Sequence, residues 1–306
     1  MQKKSLIVIA GPTAVGKSKI AVELAKHLET EIISCDSRQI YKELGIGTAV
    51  PDIKELGGIR HHFLQNKSIH QQYNASMFEN EVLELLDELF TIKDVVIMAG
   101  GSGMYIDAVC TGIDDLPPVD DEIREQLQNQ YHHEGLESLR TMLKKLDPEY
   151  YKTVDLKNTK RILKALEISL MTGTSYSSFL TNPKKERSFE IIKTGLNIQR
   201  EVLYKRINAR VDLMIHQGLV DEAKRYFEYR NLNALNTVGY KEIFMYLEGT
   251  VTLDEAIDLI KRNTRKYARR QLTWFRKYND MKWFDPPDMA EIDEYINERL
   301  RTIRES

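Results

Sequence analysis

Two cysteines, Cys35 and Cys110, are all that 306 residues contain. They can form neither a disulfide framework nor a four-ligand zinc site, so a reducing compartment, the cytoplasm, is expected. An excess of one charge is missing too. Lysine and arginine number 44 against 46 acids, a formal net charge of −2, which excludes a globally basic nucleic-acid coat. Any polyanion partner must then be held by local clusters. No apolar run approaches the roughly 20 residues of a membrane span, and no membrane partner is expected. Lys3-Lys4 precedes an apolar run too short for a signal peptide. Repeats and low-complexity tracts are absent. What is left, 42% hydrophobic and 29% charged, is the composition of a globular protein with one large domain or two modest ones.

The most informative stretch lies near the start. Leu6–Ala10 is an apolar run of strand length, followed by Gly11-Pro12-Thr13-Ala14-Val15-Gly16-Lys17-Ser18. That octet is an unbroken match to the phosphate-binding loop G-x-x-x-x-G-K-[ST]. Its glycines let backbone N–H groups turn inward around phosphate oxygens, and the helix that follows offers its positive end. Lys17 can reach the outer phosphate and the Ser18 hydroxyl can hold magnesium (Mg2+).

The first 113 residues alternate in the α/β manner. Glu31–Ser34 reads as a strand ending at Asp36, Asn74–Phe90 as an amphipathic helix, and Val95–Ala99 as a buried strand closed by Gly100-Gly101-Ser102-Gly103. Such alternation implies a parallel sheet with right-handed crossovers, whose ligands sit beyond the carboxyl ends of the strands. The phosphate loop, Asp36 and Ser102 are therefore expected to share one crevice. From Leu116-Pro117-Pro118 the chain turns helical and strongly charged, with breaks at Gly135, Asp147-Pro148, Thr172-Gly173 and Asn182-Pro183. Ser188–Ile198 is strand-like again. Residues 114–187 thus read as an all-helical insertion into a core formed by 1–113 and 188–306, and after the resumed strand only helices are expected.

The last long helix opens on the capping box Thr252-Leu253-Asp254-Glu255. At 100° per residue Ile260, Tyr267, Ala268, Trp274, Phe275 and Tyr278 fall within an arc of roughly 120°. Lysines and arginines occupy most of the remainder, and Ile260–Tyr278 contains no acid. A solvated face usually mixes signs and a membrane-surface helix is a further alternative, but an RNA or phosphate contact surface fits best.

Taken together, these stretches resemble the tRNA dimethylallyltransferase family, in its bacterial form without a zinc finger, over nearly the whole chain. The likeness is carried by Gly11–Ser18 (GPTAVGKS), Ser34–Tyr41 with its extension to Pro51, Arg60–Phe63 (RHHF), Gly100–Tyr105 (GGSGMY) and Leu116–Arg124. It continues through Lys160–Glu167 (KRILKALE), Arg206–Arg210, Thr237–Glu242 (TVGYKE) and Arg265–Arg276. One motif alone would name only a phosphate-loop protein; the series in this order is specific.

The resemblance implies a P-loop NTPase-like parallel sheet with a helical insert. It also implies transfer of a dimethylallyl group from dimethylallyl diphosphate to the exocyclic amine (N6) of the adenosine immediately 3′ of the anticodon. Adenine's amine is a poor nucleophile, so the allylic carbon must become cation-like as diphosphate leaves. On this reading the loop from Gly11 to Ser18 binds the diphosphate. Lys17, Arg210 and a magnesium ion held through Ser18 neutralise the departing charge, while Asp36 takes the amine proton. Ser102 hydrogen-bonds near the amine, and Asp36-Ser37-Arg38-Gln39 reads the extruded base. Arg124, the run Lys160-Arg161-Ile162-Leu163-Lys164, and Arg265, Arg269 and Arg276 hold the tRNA anticodon stem-loop. The protein would act as a monomer. Members more often carry threonine at the place of Ser102, which retains the hydroxyl. Arginine is usual at the place of Lys164, where phosphate attraction survives but a bidentate grip does not.

Other readings of the same residues stay open at this stage. Asp36 could end its strand as a turn cap and Ser102 could cap the next helix. Without the likeness Arg210 is a surface arginine, and His61-His62, lacking ligand partners at metal spacing, reads as structural. A small-molecule phosphate-loop kinase, or a prenyltransferase acting on free adenine nucleotides, would use the same loop. Against hydrolysis, Val95–Ala99 ends in glycines and not in an acid that could hold magnesium or water. The free-nucleotide reading leaves the insert and the basic helix unexplained. A non-catalytic RNA-binding switch that only senses nucleotide is the alternative outside enzymes.

Overall fold

The computed structural model describes residues 3–114, 116–117, 120–181 and 185–305. It divides into two compact units, Met1–Cys110 with Glu186–Ser306, and Thr111–Lys185.

The first unit is built on six parallel strands among the described residues: β1 (Ser5–Ala10), β2 (Ile32–Cys35), β3 (His61–His62), β4 (Val95–Gly100), β5 (Glu190–Leu196) and β6 (Lys282–Phe284), in the order β3-β2-β4-β1-β5-β6. All of β1 is buried, as expected of a central parallel strand covered on both faces. One face carries α1 (Lys17–His27), whose Ile20, Ala21, Leu24 and Ala25 join Ile7 and Ile9 in a single cluster. α2 (Ala75–Leu89) is capped by Asn74, which accepts from the Met77 N–H, and α3 (Gly103–Thr111) follows β4. In register, Ala10 pairs with Gly100 and Gly195, and Cys35 with Gly100, so the loops after β1, β2 and β4 leave the same edge. Gly100 is required there, since a Cβ would lie 1.9 Å from the Cys35 carbonyl oxygen.

The second unit contains α4 (Asp121–Glu134), α5 (Leu136–Leu146), α6 (Pro148–Thr153) and α7 (Thr159–Thr172) around Leu127, Leu139, Leu143, Ile162 and Leu166. Asp147 is fully buried and caps α6 while accepting from the Ser177 N–H at 2.6 Å and the Ser177 hydroxyl at 2.8 Å. The expected breaks at Pro118 and at Asn182-Pro183 lie outside the described residues.

The first unit is completed by α8 (Arg200–His216), α9 (Leu219–Arg225), α10 (Tyr240–Leu247), α11 (Leu253–Phe275) and α12 (Met289–Glu305). Here one expectation fails. Helices are not all that follows β5, because β6 returns to the sheet and pairs Thr194 with Lys282 and Leu196 with Phe284. Three residues are too few for a periodic pattern, and the pairing depends on a neighbour 88 positions away (Thr194 to Lys282). The two-residue β3 escapes the sequence for the same reason. No helix among the described residues is long and apolar enough to cross a membrane.

Candidate active site

The phosphate loop spans β1 and α1. Ala14 adopts a left-handed backbone, φ 65°, and Gly16 does so at φ 112° where it begins α1 without a side-chain cap. The amides of the helix's first turn are thus left to the loop's interior. Lys17 Nζ donates to the Pro12 carbonyl at 2.8 Å, an internal bond that an arriving phosphate oxygen can replace. Burial of its ammonium lowers the Lys17 pKa to about 8, with Asp36 opposing the shift and Arg210 adding to it. Arg210 comes from α8. Its guanidinium donates to Thr13 Oγ1 at 3.3 Å and to the Ala49 carbonyl at 3.2 Å. Burial lowers its pKa as well, against the pull of Asp36 and Glu55.

Across the crevice, Asp36 closes a turn by accepting from the N–H groups of Arg38 at 2.9 Å and Gln39 at 3.3 Å, both through Oδ1. The turn-cap reading and the functional one are therefore compatible, because Oδ2 carries no hydrogen bond from a described residue. Buried Ser102 accepts from the Ser37 N–H at 2.9 Å and donates to the Ser37 hydroxyl at 3.2 Å. Its hydroxyl is bonded to Ser37, in the loop after β2, and not to an amide of α3. Thr13, Lys17, Ser18, Asp36, Gln39 and Arg210 all line one cavity of about 700 Å3 including its mouth. Ala21, Ile32, Leu64 and Ala99 supply its apolar wall.

Not every residue expected to face RNA is free to do so. Arg38 donates to the carbonyls of Asn233 and Ala234 at 2.8 and 3.3 Å, and the Gln39 amide to those of Thr48 and Ala49 at 3.0 Å each. Both side chains bracket neighbouring loops. The Thr48–Ala49 loop is itself held from below by Glu222, whose carboxylate accepts from the N–H groups of Gly45, Ile46 and Gly47. In the helical unit Arg124 pairs with buried Glu167 at 3.0 Å, and Ile162 is sealed in the core, so its side chain offers RNA nothing. Leu163 and Lys164 are half-buried, and burial lowers the Lys164 pKa, with Glu167 opposing. Lys160 and Arg161 are exposed. On α11, Arg269 and Arg276 are exposed, whereas Arg265 bonds Asn208 of α8 at 2.6 Å and stacks over Tyr204. The acid missing from Ile260–Tyr278 comes partly from a neighbouring helix, Asp212 of α8 pairing with Lys261 at 2.6 Å.

His62 bonds Glu31 at 2.6 Å. His61, bonded to the Ile59 carbonyl at 2.9 Å, lines the cavity with its pKa lowered by burial. Sequence reasoning missed Gln271 and Tyr267, which reach the cavity from α11. Gln271 Oε1 accepts from the Thr13 N–H at 2.9 Å while its Nε2 donates to the Gly101 carbonyl at 2.9 Å, tying the phosphate loop to the loop after β4. One signal was present. Gln271 is a polar residue inside the buried arc formed by Ile260, Ala268 and Phe275.

A phosphate loop at the edge of a parallel sheet, with two cations beside it and a carboxylate across the cavity, defines a phosphate-loop protein equipped for group transfer. The chain belongs to the IPP transferase family, whose model matches residues 39–278. It is 50% identical over 301 residues, 98% of its length and all of the relative's, to tRNA dimethylallyltransferase 1 of Bacteroides fragilis. Among solved structures it is similar to a tRNA isopentenylpyrophosphate transferase of Bacillus halodurans, with TM-score 0.72, 37% identity and 98% of each chain covered. It is also similar to a eukaryotic dimethylallyltransferase described as acting on tRNA, with TM-score 0.77 and 26% identity over 97% of this chain and 77% of that one.

Proposed function

We propose that the protein transfers a dimethylallyl group from dimethylallyl diphosphate to the exocyclic amine of adenosine in tRNA, releasing diphosphate. The observation that carries this reading is one cavity lined by Lys17, Arg210 and Asp36, with the carboxylate acting on both cations. The bond between allylic carbon and diphosphate oxygen breaks, and its electron pair leaves with the diphosphate. Loop amides, Lys17 and Arg210 receive that charge in a site where burial strengthens each interaction. As N6 bonds the carbon and becomes cationic, its proton passes to Asp36. Before that, the carboxylate can hydrogen-bond the amine and aim its lone pair.

Magnesium fits this donor set. No group of three or more His, Cys, Asp or Glu side chains gathers among the described residues, so a divalent ion would be held by the Ser18 hydroxyl together with the donor's own phosphates. When bound it supplies further neutralisation of the diphosphate. The acceptor we favour is the adenosine immediately 3′ of the anticodon, a stacked base that must be extruded to reach the cavity. Exposed Lys160, Arg161, Arg269 and Arg276 are the cations best suited to the anticodon stem-loop's phosphates. We further propose a monomer working in the cytoplasm, consistent with free, buried Cys35 and Cys110.

Incubating the protein with dimethylallyl diphosphate, magnesium and unmodified tRNA, then digesting to nucleosides for mass analysis, should give dimethylallyl-adenosine from that position. Prenylated product from AMP, with the tRNA left unmodified, would overturn the reading.

A further inference from the structure

One polar group in the cavity has no part in the chemistry above. Tyr267 lines it alongside Asp36 and Arg210. Its helix is pinned in place one turn further on, where Gln271 bridges the Thr13 N–H and the Gly101 carbonyl. Residues four apart share a helix face, so the face that carries Gln271 to the loops carries Tyr267 to the cavity wall. The phenol meets the Ser102 hydroxyl and faces Asp36 and Arg38, while the Arg270 guanidinium lies 5.7 Å from the ring centre. Ser102 spends its donor on the Ser37 hydroxyl and one lone pair on the Ser37 N–H, and its second lone pair can take the phenolic hydrogen until a better acceptor arrives. Asp36 Oδ1 is committed to its turn. The cavity therefore presents a carboxylate oxygen that only accepts and, near it, a phenolic hydrogen.

Adenine carries the complementary pair, a donating amine next to an accepting ring nitrogen, N1 on one edge and N7 on the other. Guanine would set a carbonyl oxygen against the carboxylate. We infer that Tyr267 reads the target base, donating its hydrogen to the ring nitrogen beside the amine that Asp36 receives. This deepens the proposed function and rests on adenosine being the acceptor. The phenol keeps its hydrogen throughout the working range. Burial first, and then the charge of Asp36, push its pKa up to about 12, against Arg38, Ser102 and Arg270.

The test uses the full-length protein, saturating dimethylallyl diphosphate, and anticodon stem-loop RNAs bearing adenosine, 1-deazaadenosine or 7-deazaadenosine at the target. Tyr267→Phe keeps the ring and loses the hydroxyl. Single-turnover transfer to adenosine should slow about 3- to 10-fold, the scale of one hydrogen bond between neutral groups. One deaza RNA should slow the wild type by a similar factor, yet react equally with both proteins, because the two changes remove the same bond. Donor affinity should not change. A Tyr267→Phe rate within twofold of wild type on adenosine would overturn the inference while leaving the proposed function standing. So would deaza penalties that persist undiminished in the variant for both RNAs, or a parallel loss of donor affinity, which would assign the hydroxyl to the phosphate loop. Failure of the wild type to modify the adenosine RNA would overturn the proposed function and this inference with it.

Discussion

The cations of the crevice and the acid-paired cations of the helical unit live under opposite rules. In the crevice, Lys17 and Arg210 hydrogen-bond to carbonyls and a hydroxyl, and burial lowers both pKa values against the pull of Asp36 and, at Arg210, of Glu55. In the helical unit Arg124 is matched by Glu167, Arg140 by Glu137 and Lys152 by Glu149. A folded chain tolerates uncompensated buried charge only at some cost in stability. That cost is accepted where a multiply charged leaving group will supply the missing anion, and avoided where the cations only shape a surface. Positive charge alone does not mark a binding site; buried positive charge that neighbouring acids only partly offset is the stronger sign.

The contrast can be broken most severely at Asp36, the acid that acts on both crevice cations. Asp36→Asn keeps the shape and Asp36→Ala removes it. Either should slow single-turnover transfer by roughly 10²–10⁴ with both substrates saturating. Rates within a few-fold of wild type would leave Asp36 as a turn cap alone. Removing a cation comes next. Lys17→Ala should lower kcat/KM for the donor by about 10²–10³ and leave tRNA affinity nearly unchanged, as filter binding can show. Equal loss of tRNA binding would assign the loop to the polynucleotide.

The same imbalance can be sharpened with pH. Lys17 is cationic below its pKa of about 8 and loses its charge above it. Donor affinity of the free protein, read by calorimetry, should therefore weaken as pH rises through that value, and Lys17→Ala should flatten the profile. The smallest effect belongs to the surface. Replacing exposed Arg269 and Arg276 with glutamine should flatten the salt dependence of tRNA binding by about two units of slope, while Lys152→Gln, whose charge already faces Glu149, should leave it unaltered.

The parts legible in the sequence were those written locally. The phosphate loop is eight contiguous residues, and β1, β2, β4 and β5 announce themselves as apolar runs bounded by turn residues. Their common edge follows from topology, which brings Asp36 and Ser102 to Lys17. The far wall was not legible. Periodicity puts Tyr267, Trp274 and Tyr278 in an apolar stripe, but it is blind to their polar ends. In the fold Trp274 Nε1 donates to Asp107 at 3.0 Å, and the Tyr278 hydroxyl bonds the same carboxylate. Likewise a run such as Asp36–Gln39 shows which residues are near the chemistry without showing that Arg38 and Gln39 spend their donors on loop carbonyls. Partner choice across long stretches of chain is a tertiary fact, and residue spacing does not record it.

The amide of Gln271 sets an order on the protein's own making. The phosphate loop leaves the ribosome ahead of its brace, since the group that fixes its Thr13 N–H against Gly101 is translated 258 positions later. A growing chain carries the loop's complete motif while it still lacks this brace, until α11 has been made. A chain that stops short of α11 therefore holds a phosphate loop whose Thr13 N–H lacks this partner.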